Sequence, residues 1–293
     1  MAIKDSRLIL HPRRLRRLGR HLPSLVSYAV LLVAFVAALF PLYWMMSCSF
    51  KTQVELFSQP PTLFPQQGTW ASYSDLFVNR GFGRSLLNSL IVVGSSLIVA
   101  LIVGTLAAYS LARFRLPANL NGLIGFWILS TRMLPPIVSI VPIYMIIRAL
   151  HLLNTYTGLS LVYVVFNLPF VIWMMRSFFQ EIPIDLEEAS MVDGASRLGA
   201  FWRVVLPLVR PGLAATAIFN IIDTYNEFLF ALILSSTPDV MTMPVAAATL
   251  VGRIHVYWGP MTAGGTVAML PIIIFVLLMQ RHLVRGLTMG AIK

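Results

Sequence analysis

An all-α integral membrane protein with six transmembrane helices is the fold class this sequence predicts, and three observations predict it. Of 293 residues, 58% are hydrophobic and only 11% charged, with a mean hydropathy of +0.80, a balance that excludes an ordinary soluble core. Six apolar runs are each long enough to cross about 30 Å of hydrocarbon as a helix of about 20 residues. With the N-terminus inside, sixteen of the 22 Lys and Arg fall on the cytoplasmic side and five outside, the asymmetry that orients membrane proteins. The net charge of +11 is therefore an anchoring feature, and no nucleic-acid partner is expected.

Residues 1–24 carry seven Lys or Arg and form a cytoplasmic basic tail. The uncharged run at 25–50 exceeds the about 7–15 residues of a signal-peptide core and lacks a small-residue cleavage site, so it is a retained first span. Residues 51–82 are an external loop, rich in Pro60, Pro61, Pro65, Gln66, Gln67 and Gly68, with Trp70, Tyr73 and Phe77 as interfacial anchors. Residues 83–281 form one domain whose spans are expected at Leu86–Ala112, Leu123–Ile147, Tyr156–Met175, Leu213–Ser235 and Ala263–Gln280, and 282–293 are a cytoplasmic tail. Cys48 is the single cysteine and the five histidines are scattered, so neither a disulfide nor a metal site is expected.

Two spans carry polar groups. The third holds Arg132, Pro135, Pro136 and Pro142; proline removes a backbone donor, so this helix must be kinked or broken where protein or water satisfies it. A guanidinium at membrane depth should face the bundle or a wet cavity. The fifth span places Asn220, Asp223, Asn226 and Glu227 at spacings of three and four, one stripe of a continuous helix. Two readings stand for that stripe. It lines a translocation path for a hydroxyl-rich solute, with Tyr225 offering a stacking ring, or it is interhelical glue paired with Arg132.

Between the fourth and fifth spans lies Glu181–Gly212, which holds five of the eleven carboxylates. Pro183 suits a first helical turn, Asp185 with Glu188 resembles a capping box, and Gly194 can supply the positive φ of a stop. A second helix is expected from Ser196, with Leu198, Phe201, Trp202 and Val205 on one apolar face until Pro207 and Pro211. Five acids and no basic face exclude a DNA-binding helix-turn-helix. A hairpin that merely caps the bundle is the bland alternative.

Glu188-Ala189-Ser190, three residues ending in Asp193, Gly194, nine residues and Val204-x-Leu206-Pro207 resemble the EAA loop of binding-protein-dependent ABC import permeases. Ser190 replaces the second alanine and Val204 the isoleucine. Tyr225-Asn226-Glu227-Phe228-Leu229 and Leu152-Leu153-Asn154-Thr155 resemble segments of the carbohydrate-import class, most like the maltose-type second permease subunit. The resemblance implies a type I importer permease core with a cytoplasmic coupling helix. Glu188, Ala189, Ser190, Asp193, Gly194, Leu206 and Pro207 would then engage a separate ATPase. It also implies two ATPase subunits holding ATP and Mg, a second permease subunit, an extracytoplasmic solute-binding protein, and a place among the lipids of a bacterial or archaeal cytoplasmic membrane. None of Lys4, Lys51 and Lys293 follows a glycine, so no phosphate loop exists here, and no catalytic or cofactor-binding residue is expected. An ion-coupled secondary carrier, which also needs broken helices and midplane carboxylates, is the rival from another class. An ABC permease for a non-sugar solute is the rival within the family.

Overall fold

The computed structural model describes residues 13–114, 116–117, 120–252 and 256–289; the two expected tails, 1–24 and 282–293, lie partly outside these. Among the described residues four helices are long and apolar enough to cross a membrane unbroken, at Val26–Ser49, Phe82–Arg113, Tyr156–Glu181 and Trp258–Leu278. They belong to α1 (Arg13–Ser49), α2 (Phe82–Arg113), α5 (Tyr156–Glu181) and α11 (Trp258–Met289). Thr155 caps α5, its Oγ1 accepting from Gly158 N at 3.0 Å, which satisfies one orphan donor of the first turn. At the centre α2 and α5 cross closely because Gly104 has no side chain: a Cβ there would lie 2.5 Å from Val171 Cγ1. Among the described residues three apolar clusters fill the bundle, one at each end of the α2–α5 pair and one in which Tyr225 and Met243 pack between α2 and α11.

The third span is broken, as the prolines require. α3 (Leu120–Ser130) passes through a 3-10 turn, Thr131–Met133, to α4 (Pro136–Ala149), and the two halves meet at 95°. Leu134, held ahead of Pro135, is extended with ψ 123°, because the proline ring disfavours the helical region for its predecessor. The fifth span also differs from a single continuous helix. α8 (Arg210–Tyr225) stops at Asn226, and the chain resumes helically only as α9 (Leu229–Leu234).

At one end of the bundle α5 leads into α6 (Asp185–Val192), and Gly194 at φ 90° turns the chain. There Ser196 Oγ accepts from Gly199 N at 3.1 Å and starts α7 (Arg197–Leu208), which widens to a π turn over Phe201–Val205 and meets α8 at 70°. The expected capping box does not form: Asp185 is already the first residue of α6, and Ile184 at the cap position has no side-chain hydrogen bond. At the other end α10 (Met243–Ala248) is pinned to α2. Asn88 Nδ2 donates to the carbonyls of Asp239 and Met241 at 3.1 and 2.9 Å, and Ser89 Oγ accepts from Met243 N at 2.7 Å.

Candidate coupling loop and translocation face

α6 is amphipathic by charge as well as by apolarity. Glu187 turns inward and is 4% exposed. Its carboxylate accepts from Tyr109 Oη at 2.8 Å and forms a salt bridge with Arg113 Nε, both near the C-terminus of α2. Arg113 Nη2 also donates to Ile182 O at 3.0 Å, so one guanidinium ties α2 to both α6 and the end of α5. Behind it Tyr109, Phe179 and Phe201 pack ring against ring, and Arg197 of α7 lies 5.0 Å from the Phe114 ring centroid. α6 and α7 are thereby clamped to the bundle from one side only.

The other side faces outward. Glu181, Asp185, Glu188 and Asp193 are exposed and form no salt bridge among the described residues, and Val192 beside them is 87% exposed. Of the sequence-derived coupling residues, Glu188, Ala189, Asp193 and Gly194 share this exposed surface, whereas Ser190, Leu206 and Pro207 are half-buried. Sequence reasoning missed Glu187, Arg113 and Tyr109. The one hint is Met191, four residues after Glu187, which marks the inward side of a helix whose Glu188 points away.

At the break between α3 and α4, Arg132 Nη1 and Nη2 each lie 3.3 Å from Asp223 Oδ2 on α8. The guanidinium sits 5.4 Å from the centroid of Phe170, which meets Phe219 edge-on at 6.3 Å. The side chains of Arg132 and Asp223 are 34% and 59% exposed, and Arg132, Thr131 and Ser139 edge a cavity of about 380 Å³ with Phe166 and Pro169. Asn226 is also exposed and donates back to Ile222 O at 2.7 Å.

The expected single stripe is therefore divided. Asp223 and Asn226 face outward with Arg132, while Asn220 is 1% exposed and Tyr225 is 4% exposed within the α2–α11 cluster. Glu227 lies beyond the end of α8. It accepts from Tyr163 Oη at 2.7 Å and from the backbone N–H of Phe230 and Ala231 at 2.9 and 3.2 Å, capping α9. Arg132 thus pairs with Asp223 and not with Glu227, because a helix that ends at Tyr225 no longer carries residue 227 on the face of residue 223.

A family model described as "Binding-protein-dependent transport system inner membrane component" matches residues 100–289. Among curated proteins, the chain is 37% identical over 261 residues to the sulfoquinovosyl glycerol transport system permease protein SmoH of Agrobacterium fabrum, covering 89% of this chain and 91% of that protein. It is 39% identical over 258 residues to the trehalose transport system permease protein SugB of Mycobacterium tuberculosis, covering 87% and 93%. Among solved structures it resembles a chain of a bacterial ABC transporter involved in the import of the acidic polysaccharide alginate, with a TM-score of 0.76 at 22% identity over 94% of this chain and 100% of that one. That likeness is one of fold.

Proposed function

The chain belongs to the family of binding-protein-dependent transport system inner membrane components, and on that premise we propose that it carries a carbohydrate or related polyol as one permease subunit of an ATP-driven importer. It is a multi-pass membrane protein. The observation that carries the solute reading is the outward face of Arg132, Asp223 and Asn226 beside Phe170 and Phe219. A carboxylate and a guanidinium side by side can hydrogen-bond vicinal hydroxyls, and aromatic rings pack against the C–H faces of a sugar ring. The names of the two relatives, for a sulfoquinovosyl glycerol and a trehalose system, support the same chemistry.

ATP and Mg belong on two partner ATPase subunits, and the exposed surface of α6 is where one of them engages Glu188, Ala189, Asp193 and Gly194. Ser190, Leu206 and Pro207 back that surface. A second permease subunit closes the other half of the path, and a solute-binding protein delivers cargo at the opposite end, where α2 pins α10. Both termini are cytoplasmic, in the cytoplasmic membrane of a bacterium or archaeon. ATP drives transport only if ATPase contacts to α6 differ between the inward and outward states.

The test is uptake by the reconstituted complex with Asp223→Asn and Arg132→Gln. On this reading the half-exposed pair faces the water of the path, so it contributes about 0–1 kcal/mol to stability, and complex yield should stay normal while uptake falls about tenfold or more. Wild-type uptake by both variants removes this face from the path.

A further inference from the structure

At the end of the bundle away from α6, a buried cation follows two residues after the end of α1. Lys51 is 3% exposed, its ammonium donates to Thr62 O, and it lies 4.4 Å from the Trp44 ring centroid. It forms no salt bridge among the described residues. One carbonyl, one ring face and the field of the Glu55 carboxylate, which lies beyond salt-bridge distance, leave a three-donor ammonium incompletely hydrogen-bonded, and a buried charge is tolerated only when it is well paired. Lys51 is not enclosed by packing alone: it borders a cavity of about 440 Å³ between α1, α11 and the 51–61 segment, lined also by Pro41, Trp44, Glu55, Trp258 and Thr262.

The position of the cavity restricts its occupant. Below it α1 presents exposed apolar side chains from Val26 to Leu42, the signature of hydrocarbon contact, and Trp44 and Trp258 are the amphipathic rings that settle at a membrane border. A fully hydrated anion would lose water against Met45, Leu56 and Phe57, which also line the cavity. A phosphate attached to an apolar tail loses water too, but its acyl chains offset that cost by covering apolar side chains. Glu55 supplies the opposite charge: its Oε1 accepts from Thr62 Oγ1 and Gln66 N at 2.7 and 2.8 Å, but Oε2 takes only a long 3.5 Å contact from Gln67 N.

We propose that this cavity is a binding site for a phospholipid of the leaflet at that end. The phosphate sits on Lys51, a headgroup amine turns towards Oε2 of Glu55, and the acyl chains run along the exposed side of α1 past Leu42 and Leu39. The site favours an amine-bearing zwitterionic headgroup over an anionic one, and it is independent of the solute carried.

Native mass spectrometry of the purified full chain tests this, with phosphatidylethanolamine, phosphatidylglycerol or inorganic phosphate added in turn. One phosphatidylethanolamine should survive activation that strips other lipid, and Lys51→Met should lower its retained fraction at least tenfold. Lys51→Arg should keep retention, and Glu55→Gln should bring the two lipids to parity. Because Lys51 also holds the loop through Thr62, Thr262→Phe gives a separate route: it fills the cavity from α11, leaves that bond in place, and should likewise expel the lipid. Unchanged retention in both Lys51→Met and Thr262→Phe overturns the proposal. So does millimolar phosphate binding alone and displacing the lipid, which would make this a free-anion site.

Discussion

The salt bridge between Glu187 and Arg113 should be the joint through which α6 moves the bundle. Their side chains are 6% and 7% exposed, so neither charge is screened by bulk water, and removing one partner leaves the other buried and unpaired. Such a loss costs about 3–5 kcal/mol in general. Tyr109 Oη and Ile182 O remain in place for whichever partner survives, which puts this pair at the lower end, about 3 kcal/mol. If that free energy is lost from the link between α6 and α2, the coupling falls by roughly 150-fold. Glu187→Ala and Arg113→Ala should each abolish uptake while the complex still hydrolyses ATP, now without stimulation by loaded binding protein. The double variant Glu187→Ala/Arg113→Ala, which leaves no buried charge, should be less impaired than the two single losses combined, with a coupling energy of about 0.5–3 kcal/mol. The assay is uptake and ATP hydrolysis measured together in proteoliposomes, with complex yield as the assembly control. Retention of the wild-type ratio of uptake to hydrolysis in either single variant, or simple additivity in the double, would refute the reasoning.

Two further outcomes are expected. Gly194→Val should abolish uptake and weaken ATPase co-purification with membrane insertion intact; a Cβ there meets nothing within 4 Å, so the penalty of about 1 kcal/mol or more comes from holding a side chain at φ 90°, and normal co-purification with normal uptake counts against a stiff turn. In the loop at the opposite end, the Gln66 backbone N–H, helped by the Thr62 hydroxyl and the Gln67 N–H, holds the Glu55 carboxyl below its ordinary 4.5. A depressed folded-state value means the clasp contributes fully above that pH and is lost as pH falls through the lower one. Cleavage of residues 58–69 by an acid-active protease should therefore step up below about pH 4.5 in the wild type and show no step in Glu55→Gln; a step of equal size in the variant assigns it to another group.

The hairpin and the broken third span were legible in the sequence. The acid-rich segment between two spans, the spacing from Glu188 to Pro207 and the glycine at 194 identify the α6–α7 hairpin, and the structure places Gly194 at the turn with φ 90°. The prolines at 135 and 136 dictate a broken third span, and the break is there at 95°. Less legible was the fifth span. Asn220, Asp223, Asn226 and Glu227 share a stripe only on an uninterrupted helix, and no proline or glycine marks the stop after Tyr225. It is instead accompanied by the Glu227 carboxylate capping α9, a contact whose partners belong to the next helix.

Adjacent residues show the division most clearly. Periodicity alone separates Glu187 from Glu188 by about 100° around a helix, and so determines that they cannot do the same job. It does not determine which of them meets the bundle. That depends on the direction in which α6 crosses the end of α2, set by the Gly104 crossing and by the Tyr109, Phe179 and Phe201 rings. The same holds for Arg132, whose presence at membrane depth demands a partner but whose choice of Asp223 follows from where α8 stops. Sequence therefore determined which segments enter the membrane and which residues share a face, because both follow from transfer free energy and local geometry along one chain. Only the tertiary structure decided which faces meet, because that is set by packing between helices far apart in the sequence.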